Sequence, residues 1–264
     1  MKRNLLLACT LLLMAAAPPP RDVLPDLQHE RTGEEQTSFH STARCSTILA
    51  MNIGIIGAGH IGGTTARLFV DAGHDVAISN SRGPETLRDL VAELGPHAHA
   101  ATPEEAARSG DVVLLAIPLK DFTTLPAAEL RGKIVIDAMN YYPNRDGHYA
   151  QLDSRERASS EMVAAHLPGA RVVKAFNTIW FEHLKTKGKK DAPLDERRAI
   201  FVSGDDAEAK RVVSRLIEEI GFGPYDLGSL HDSLEQQPDS AVYNRDVTVT
   251  EARAIAPREG ADRA

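Results

Sequence analysis

The chain has 264 residues, with 37 acidic and 30 basic side chains, for a net charge of -7; that balance argues against the broad basic footprint of a nucleic-acid binder. Hydrophobic residues at 42% and charged residues at 25% are ordinary for a soluble globular protein. Both cysteines, Cys9 and Cys45, lie in the first fifty residues, which excludes a disulfide, a thiolate metal site or a cysteine nucleophile from everything after residue 50.

Residues 1–20, MKRNLLLACTLLLMAAAPPP, run from basic to apolar to small. They resemble a secretory signal, with Ala15-Ala16-Ala17 as a cleavage site, and Leu6-Leu7-Ala8-Cys9 resembles a lipoprotein box. The apolar run from Leu5 to Ala17 is too short for a comfortable transmembrane helix. Residues 18–50 show neither helical nor strand period. We read 1–50 as an unstructured extension of a cytoplasmic protein or an upstream misread start, with export as the alternative. A chain beginning at Met51 is expected to fold and to melt within a few degrees of the full-length chain; loss of soluble protein on that truncation would contradict the reading.

From Met51 the pattern changes. Asn52–Ile56 is a short apolar strand running into a glycine-rich turn. Ile61, Leu68, Phe69 and Ala72 form a helical face closed by Gly73. Val76–Ser79 is a second strand. Gly83-Pro84 opens a helix to about Leu94, with Gly95 as its stop. Ala98–Ala101 is a weak strand, and Thr102-Pro103-Glu104-Glu105 is a capping box. Val112–Ile117 and Lys133–Asp137 are continuous apolar strands, as expected when helices cover both faces. Ala158–Leu167 reads as helix and Arg171–Lys174 and Ala199–Ser203 as strands. Val212, Val213, Leu216, Ile217 and Ile220 form a helical face ended by Gly221, and Pro224–Leu227 is a last strand. Beyond Ser229 the periods fade. This alternation predicts an α/β fold of Rossmann type, a doubly wound parallel sheet with a smaller C-terminal α/β part. The expected division is 1–50 leader, 51–180 dinucleotide-binding domain and 181–264 smaller part completing the cleft.

Gly57-Ala58-Gly59-His60-Ile61-Gly62 is a G-x-G-x-x-G placed between a strand and a helix, the context that such a motif needs. Gly57 permits the tight turn, Gly59 lets a pyrophosphate approach the backbone, and Gly62 lets the helix pack close to the strand. Free N–H groups at the helix start favour an anion. The second strand ends in Ile78-Ser79-Asn80-Ser81-Arg82. No carboxylate stands where an NAD binder holds the ribose 2′-hydroxyl. Arg82 is instead placed for a 2′-phosphate, with Ser81, Asn80 and Thr86 as neutral partners, so NADP(H) is the expected cofactor.

GIIGAGHIGG, AISNSRGPE, LLAIPL, VIDAMNYYP, VVKAFNTI and LIEEIGFGPYDLGSL occur in that order over about residues 51–230. Together they resemble the NADPH-dependent reductases of the deazaflavin coenzyme F420. The cytosolic reductase domains of mammalian metalloreductases resemble the same family and work with flavin. The resemblance implies a homodimer that exchanges hydride between NADPH and coenzyme F420. It assigns Ala58, Gly59, His60 and Ile61 to the pyrophosphate turn and Ser81, Arg82 and Thr86 to the 2′-phosphate. It puts Ile117, Pro118 and Leu119 beside the ribose and nicotinamide, Met139 and Asn140 on the next strand-end loop, and Asn177 and Phe181 near the nicotinamide. His60 stands where members often have asparagine, and Asn177 where some have histidine.

Hydride transfer asks the protein to set distance, face and dryness, so no obligatory acid or base is expected. Asn140 and Asn177 are candidates for positioning. The histidines do not fall at metal-ligand spacing, and no metal, nucleic-acid partner or stable membrane span is expected. The hydride partner stays open between coenzyme F420, flavin, an imine or another small acceptor, and a non-catalytic NADP(H)-sensing role is the reading from another class.

Overall fold

A computed structural model describes residues 50–256. The expectations placed on residues 1–49, signal, lipoprotein box and disorder alike, lie outside the described residues. The strands are β1 (Asn52–Ile56), β2 (Asp75–Ser79), β3 (Ala98–Ala101), β4 (Val112–Leu115), β5 (Ile134–Asp137), β6 (Arg171–Lys174), β7 (Ala199–Ser203) and β8 (Gly223–Gly228). The helices are α1 (His60–Asp71), α2 (Arg88–Leu94), α3 (Pro103–Ser109), α4 (Ala127–Leu130), α5 (Pro143–Asp146), α6 (Ala150–Asp153), α7 (Ser159–His166), α8 (Phe181–Thr186), α9 (Ala207–Glu219) and α10 (Val249–Ile255).

The eight strands form one sheet in the order β3-β2-β1-β4-β5-β6-β7-β8. The first six follow the doubly wound order, with its reversal between β1 and β4. Alternation along the strands divides the core into two layers. Ile53, Ile55, Val112, Leu114, Ile134 and Ile136 join α1 and α9 residues on one side. Ile56, Val113, Leu115 and Val135 join Ala106, Ala107 and Val163 of α3 and α7 on the other. Both faces are covered, which is why these strands read as unbroken apolar runs.

The described sheet departs from an all-parallel one at a single junction. β6 and β7 are antiparallel and meet in register only at Lys174 and Ser203, while β7 and β8 are again parallel. After β6 the chain turns into α8, which packs on α1, and re-enters the sheet from the opposite end. Residues after 180 therefore add two strands to the edge of the same sheet. A third apolar cluster, built on Phe201, Tyr225, Val242, Val249 and Ala252, covers that edge.

Several element bounds shift for local reasons. The expected helix from Gly83 begins as a 3-10 turn over Pro84–Leu87 before α2 proper. β4 ends at Leu115, two residues early, although Ala116 N–H still donates to Ile56 O at 2.8 Å. The capping box at Thr102 forms as read: Glu105 N–H donates to the Thr102 hydroxyl at 3.2 Å, and Thr102 N–H donates to the Glu105 carboxylate at 2.9 Å. His74, fully buried, accepts from Met51 N–H on Nδ1 at 3.2 Å, so its Nε2 carries the hydrogen shared with Glu219 at 2.9 Å. That histidine ties the start of β1 to the end of α9.

Helix α1 lies close to β1 because Gly62 has no side chain. A Cβ there would stand 1.7 Å from the Gly57 carbonyl oxygen. Alanine is about 1 kcal/mol better than glycine inside a helix, but overpacking costs about 1–3 kcal/mol and sometimes more, and a contact this short puts Gly62→Ala at or beyond the upper end. Gly62→Ala is expected to lower the melting temperature by roughly 4–12 °C, at about 2–4 °C per kcal/mol for a domain of this size. An unchanged melting curve would show that the helix is free to move away.

Candidate functional site

The site is assembled at the carboxyl ends of the parallel strands, where a doubly wound sheet leaves a crevice. The turn between β1 and α1 is set by Gly57, whose φ of +111° suits only glycine and whose Cβ would lie 2.4 Å from the Ala116 carbonyl oxygen. Gly57 N–H donates to Ser79 O at 3.0 Å, pinning the turn to β2. Gly59 is the N-cap of α1 and provides no side-chain cap, so the amides of the first turn remain available to an anion. A Cβ on Gly59 would meet nothing within 4 Å. The open space at Gly59 is thus free for a ligand, and the turn fits a pyrophosphate.

Beside it, Asn80-Ser81-Arg82 leaves β2. Arg82 N–H donates to Asn80 Oδ1 at 2.9 Å, Asn80 Nδ2 donates to the Thr86 hydroxyl at 2.9 Å, and that hydroxyl donates to Gly83 O at 2.8 Å. Thr86 is therefore engaged in shaping the loop that presents Ser81 and Arg82. The Arg82 guanidinium has no ion pair among the described residues. Gly57, Gly59, Ser81, Arg82, Ile117 and Pro118 all line one cavity of about 530 Å³, which Asp121 also lines.

Two of the expected lining residues are elsewhere. Leu119, at the start of a 3-10 turn four residues past β4, and Met139, two residues past β5, are buried in the layer with α3 and α7. His60 and Phe181 stack face to face, with centroids 4.1 Å apart and planes at 17°. Ile61, the next α1 residue, packs against the core. The stack borders a second, 420 Å³ hollow shared with Gly59, Arg67 and Lys185.

The loops after β5 and β6 meet. Asn140 Nδ2 donates to Asn177 O at 2.9 Å, and Asn177 Nδ2 donates to Asn140 Oδ1 at 3.1 Å and to Gln236 O at 2.7 Å. Asn177 Oδ1 and both polar atoms of the Gln236 amide are buried without a partner among the described residues. Such groups are usually satisfied by water or a ligand, and alternating donors and acceptors suit a carboxamide or the edge of a planar heterocycle.

Sequence reasoning missed three features here. Asp137 and Lys174 form a fully buried pair at 3.1 Å; burial pushes the Lys174 ammonium down and Asp137 opposes it. The readable signal was one opposite charge closing each of two apolar strands. Tyr142 and Tyr243 join their hydroxyls, and burial, then the bond to Tyr142, pushes the Tyr243 phenol up. Burial alone would raise the Asp146 carboxyl, but hydrogen bonds from Arg145 and Tyr142 N–H hold it below the ordinary range. Arg145 also donates to Asn140 O at 2.7 Å. Among the described residues no helix is long and apolar enough to cross a membrane.

Comparison with known proteins gives a consistent picture. A family model described as coenzyme F420-dependent NADP oxidoreductase matches residues 52–141. The hypothetical protein SMa0349 of Sinorhizobium meliloti is 33% identical, with a TM-score of 0.66 over 76% of this chain and 96% of its own. A candidate F420-dependent NADP reductase of Arthrobacter sp. FB24 is 30% identical, with a TM-score of 0.58 over 68% of this chain and 86% of its own. The metalloreductase STEAP3 of Rattus norvegicus is 32% identical over 70% of this chain, but the match spans only 36% of that protein.

Proposed function

The chain belongs to the family of coenzyme F420-dependent NADP oxidoreductases, and on that premise we propose that it transfers hydride between NADPH and the deazaflavin coenzyme F420. The observation that carries the NADP(H) half is Arg82: a guanidinium just past β2, without an ion pair among the described residues, on the wall of the cavity that contains the glycine turn, where no carboxylate stands in the sequence. When bound, NADPH supplies the hydride and the deazaflavin accepts it. The rest is done by the chain's own residues. Gly57, Gly59 and the first amides of α1 bind the pyrophosphate. Ser81 and Arg82 bind the 2′-phosphate. Ile117 and Pro118 form an apolar wall that excludes water. Asn140 and Asn177, locked to each other, orient the carboxamide end. The hydride step itself needs no side-chain acid or base, and the proton that accompanies it onto the reduced deazaflavin comes from solvent.

A second acceptor, flavin, is favoured by the likeness to a metalloreductase. The deciding assay incubates the protein with NADPH and either coenzyme F420 or FMN and follows each chromophore. Bleaching of the deazaflavin with NADPH, and much more slowly with NADH, is the expected result. Faster reduction of FMN moves the assignment to a flavin reductase, and no oxidation of NADPH with either sinks both.

A further inference from the structure

We propose that the buried Asp137–Lys174 pair, together with Ser160, is a positioning device that sets the Met139–Asn140 loop at the nicotinamide end of the cofactor site. The inference rests on the NADP(H) reading above and deepens it.

Asp137 and Lys174 are the last residues of β5 and β6, register partners across the sheet, and both are fully buried. Their remaining hydrogen-bonding capacity converges on one residue. Met139 N–H donates to Asp137 Oδ1 at 2.9 Å, and Lys174 Nζ donates to Met139 O at 2.5 Å. Ser160 of α7 donates to Asp137 Oδ2 at 2.6 Å, beside the 3.1 Å contact from Lys174. Anion and cation thus grip the two sides of a single residue's main chain, and among the described residues that main chain makes no other hydrogen bond.

The next residue, Asn140, leaves the core and exchanges amide hydrogen bonds with Asn177, three residues beyond Lys174. The geometry of the buried pair therefore reaches Asn140 through one peptide unit from Met139 and Asn177 through three from Lys174. Burial of two charges is a poor source of stability: apolar residues of similar volume often do as well or better, whereas removing one partner strands the other. Holding a strand-end loop in one place is a use that apolar residues do not supply.

The same asymmetry supplies the test. Lys174→Met alone, which strands Asp137, is expected to lower the melting temperature. Asp137→Leu/Lys174→Met is expected to recover most of that loss. In the double variant, amide exchange at Met139 is expected to be faster. Its kcat with NADPH is expected to stay about 10- to 100-fold below the parent, the scale of a misplaced reacting group. The KM for NADPH and the affinity for 2′,5′-ADP, which probes only the adenosine end, should remain near parental values. Anisotropy of bound NADPH fluorescence reads the ring's immobilisation without any acceptor and is expected to fall. Ser160→Ala, which removes one hydrogen bond, should move the same readouts less far and covers the case in which the double variant folds poorly.

A double variant whose kcat and anisotropy return with its melting temperature would show that the pair is only packing. Loss of 2′,5′-ADP binding would show general damage to the site; either result overturns the proposal. Failure of the NADP(H) reading would appear earlier and separately, as a parent protein that binds neither 2′,5′-ADP nor NADPH, and it would take this inference with it. A parent that binds NADPH but reduces FMN in place of coenzyme F420 leaves the positioning test intact.

Discussion

Gly59→Val is expected to abolish NADPH binding while barely moving the melting temperature. At this position φ is -78° and ψ is -163°, extended backbone that valine adopts readily. A Cβ there meets none of the described residues within 4 Å, so no clash with them opposes folding. The loss of a favourable helix-capping residue is the remaining cost, on the order of 1 kcal/mol, or roughly 2–4 °C. The branched side chain does enter the space in front of the α1 amides, and a pyrophosphate held there would collide with it. Isothermal titration with NADPH, paired with a melting curve, measures both halves. The contrast with Gly62→Ala is diagnostic, since that change sits in the same motif but strikes the Gly57 carbonyl. Near-parental NADPH affinity in Gly59→Val would place the dinucleotide elsewhere.

Arg82→Ala is expected to erase the preference for NADPH over NADH without erasing activity. Charge-assisted hydrogen bonds contribute about 1.5–3 kcal/mol each, so NADPH should weaken roughly 10- to 150-fold while NADH, which lacks the 2′-phosphate, changes little. Among the described residues the guanidinium has no anion to release, so its removal should leave stability nearly unchanged. Ser81→Ala should act in the same direction but more weakly, because a neutral hydrogen bond contributes only about 0.5–1.5 kcal/mol. The specificity constants for both cofactors should be compared at fixed ionic strength, since an exposed phosphate contact is screened by salt. A parental NADPH/NADH ratio in Arg82→Ala would refute the assignment.

The strands, the glycine turn and the Thr102 capping box were legible because each rests on neighbours in sequence: apolar period, a glycine at a fixed offset, a threonine three residues before a glutamate. The antiparallel β6–β7 junction was not, since strand direction depends on where α8 packs and no local pattern records that. Leu119 and Met139 were assigned by the family resemblance, which does not record side-chain facing, and near a strand a shift of one residue reverses that facing. Asn140 and Asn177 were separable candidates in the sequence; their mutual hydrogen bonds exist only once β5 and β6 lie side by side. In sequence, Asp137 and Lys174 show only as one opposite charge closing each of two apolar strands, and the register of β5 with β6 is what makes them a buried pair.

Trp180 is the chain's single tryptophan, and it is 51% exposed at the start of α8. Its indole meets Phe181 edge-on at 5.8 Å, and Phe181 is the ring stacked on His60 at the mouth of the glycine turn. All indole emission from the described chain therefore originates next to the dinucleotide crevice. Reduced nicotinamide absorbs where tryptophan emits, and the oxidised ring does not. Energy transfer would dim Trp180 when the crevice holds NADPH and spare it when the crevice holds NADP⁺, giving the protein an intrinsic optical report of the oxidation state of its bound dinucleotide.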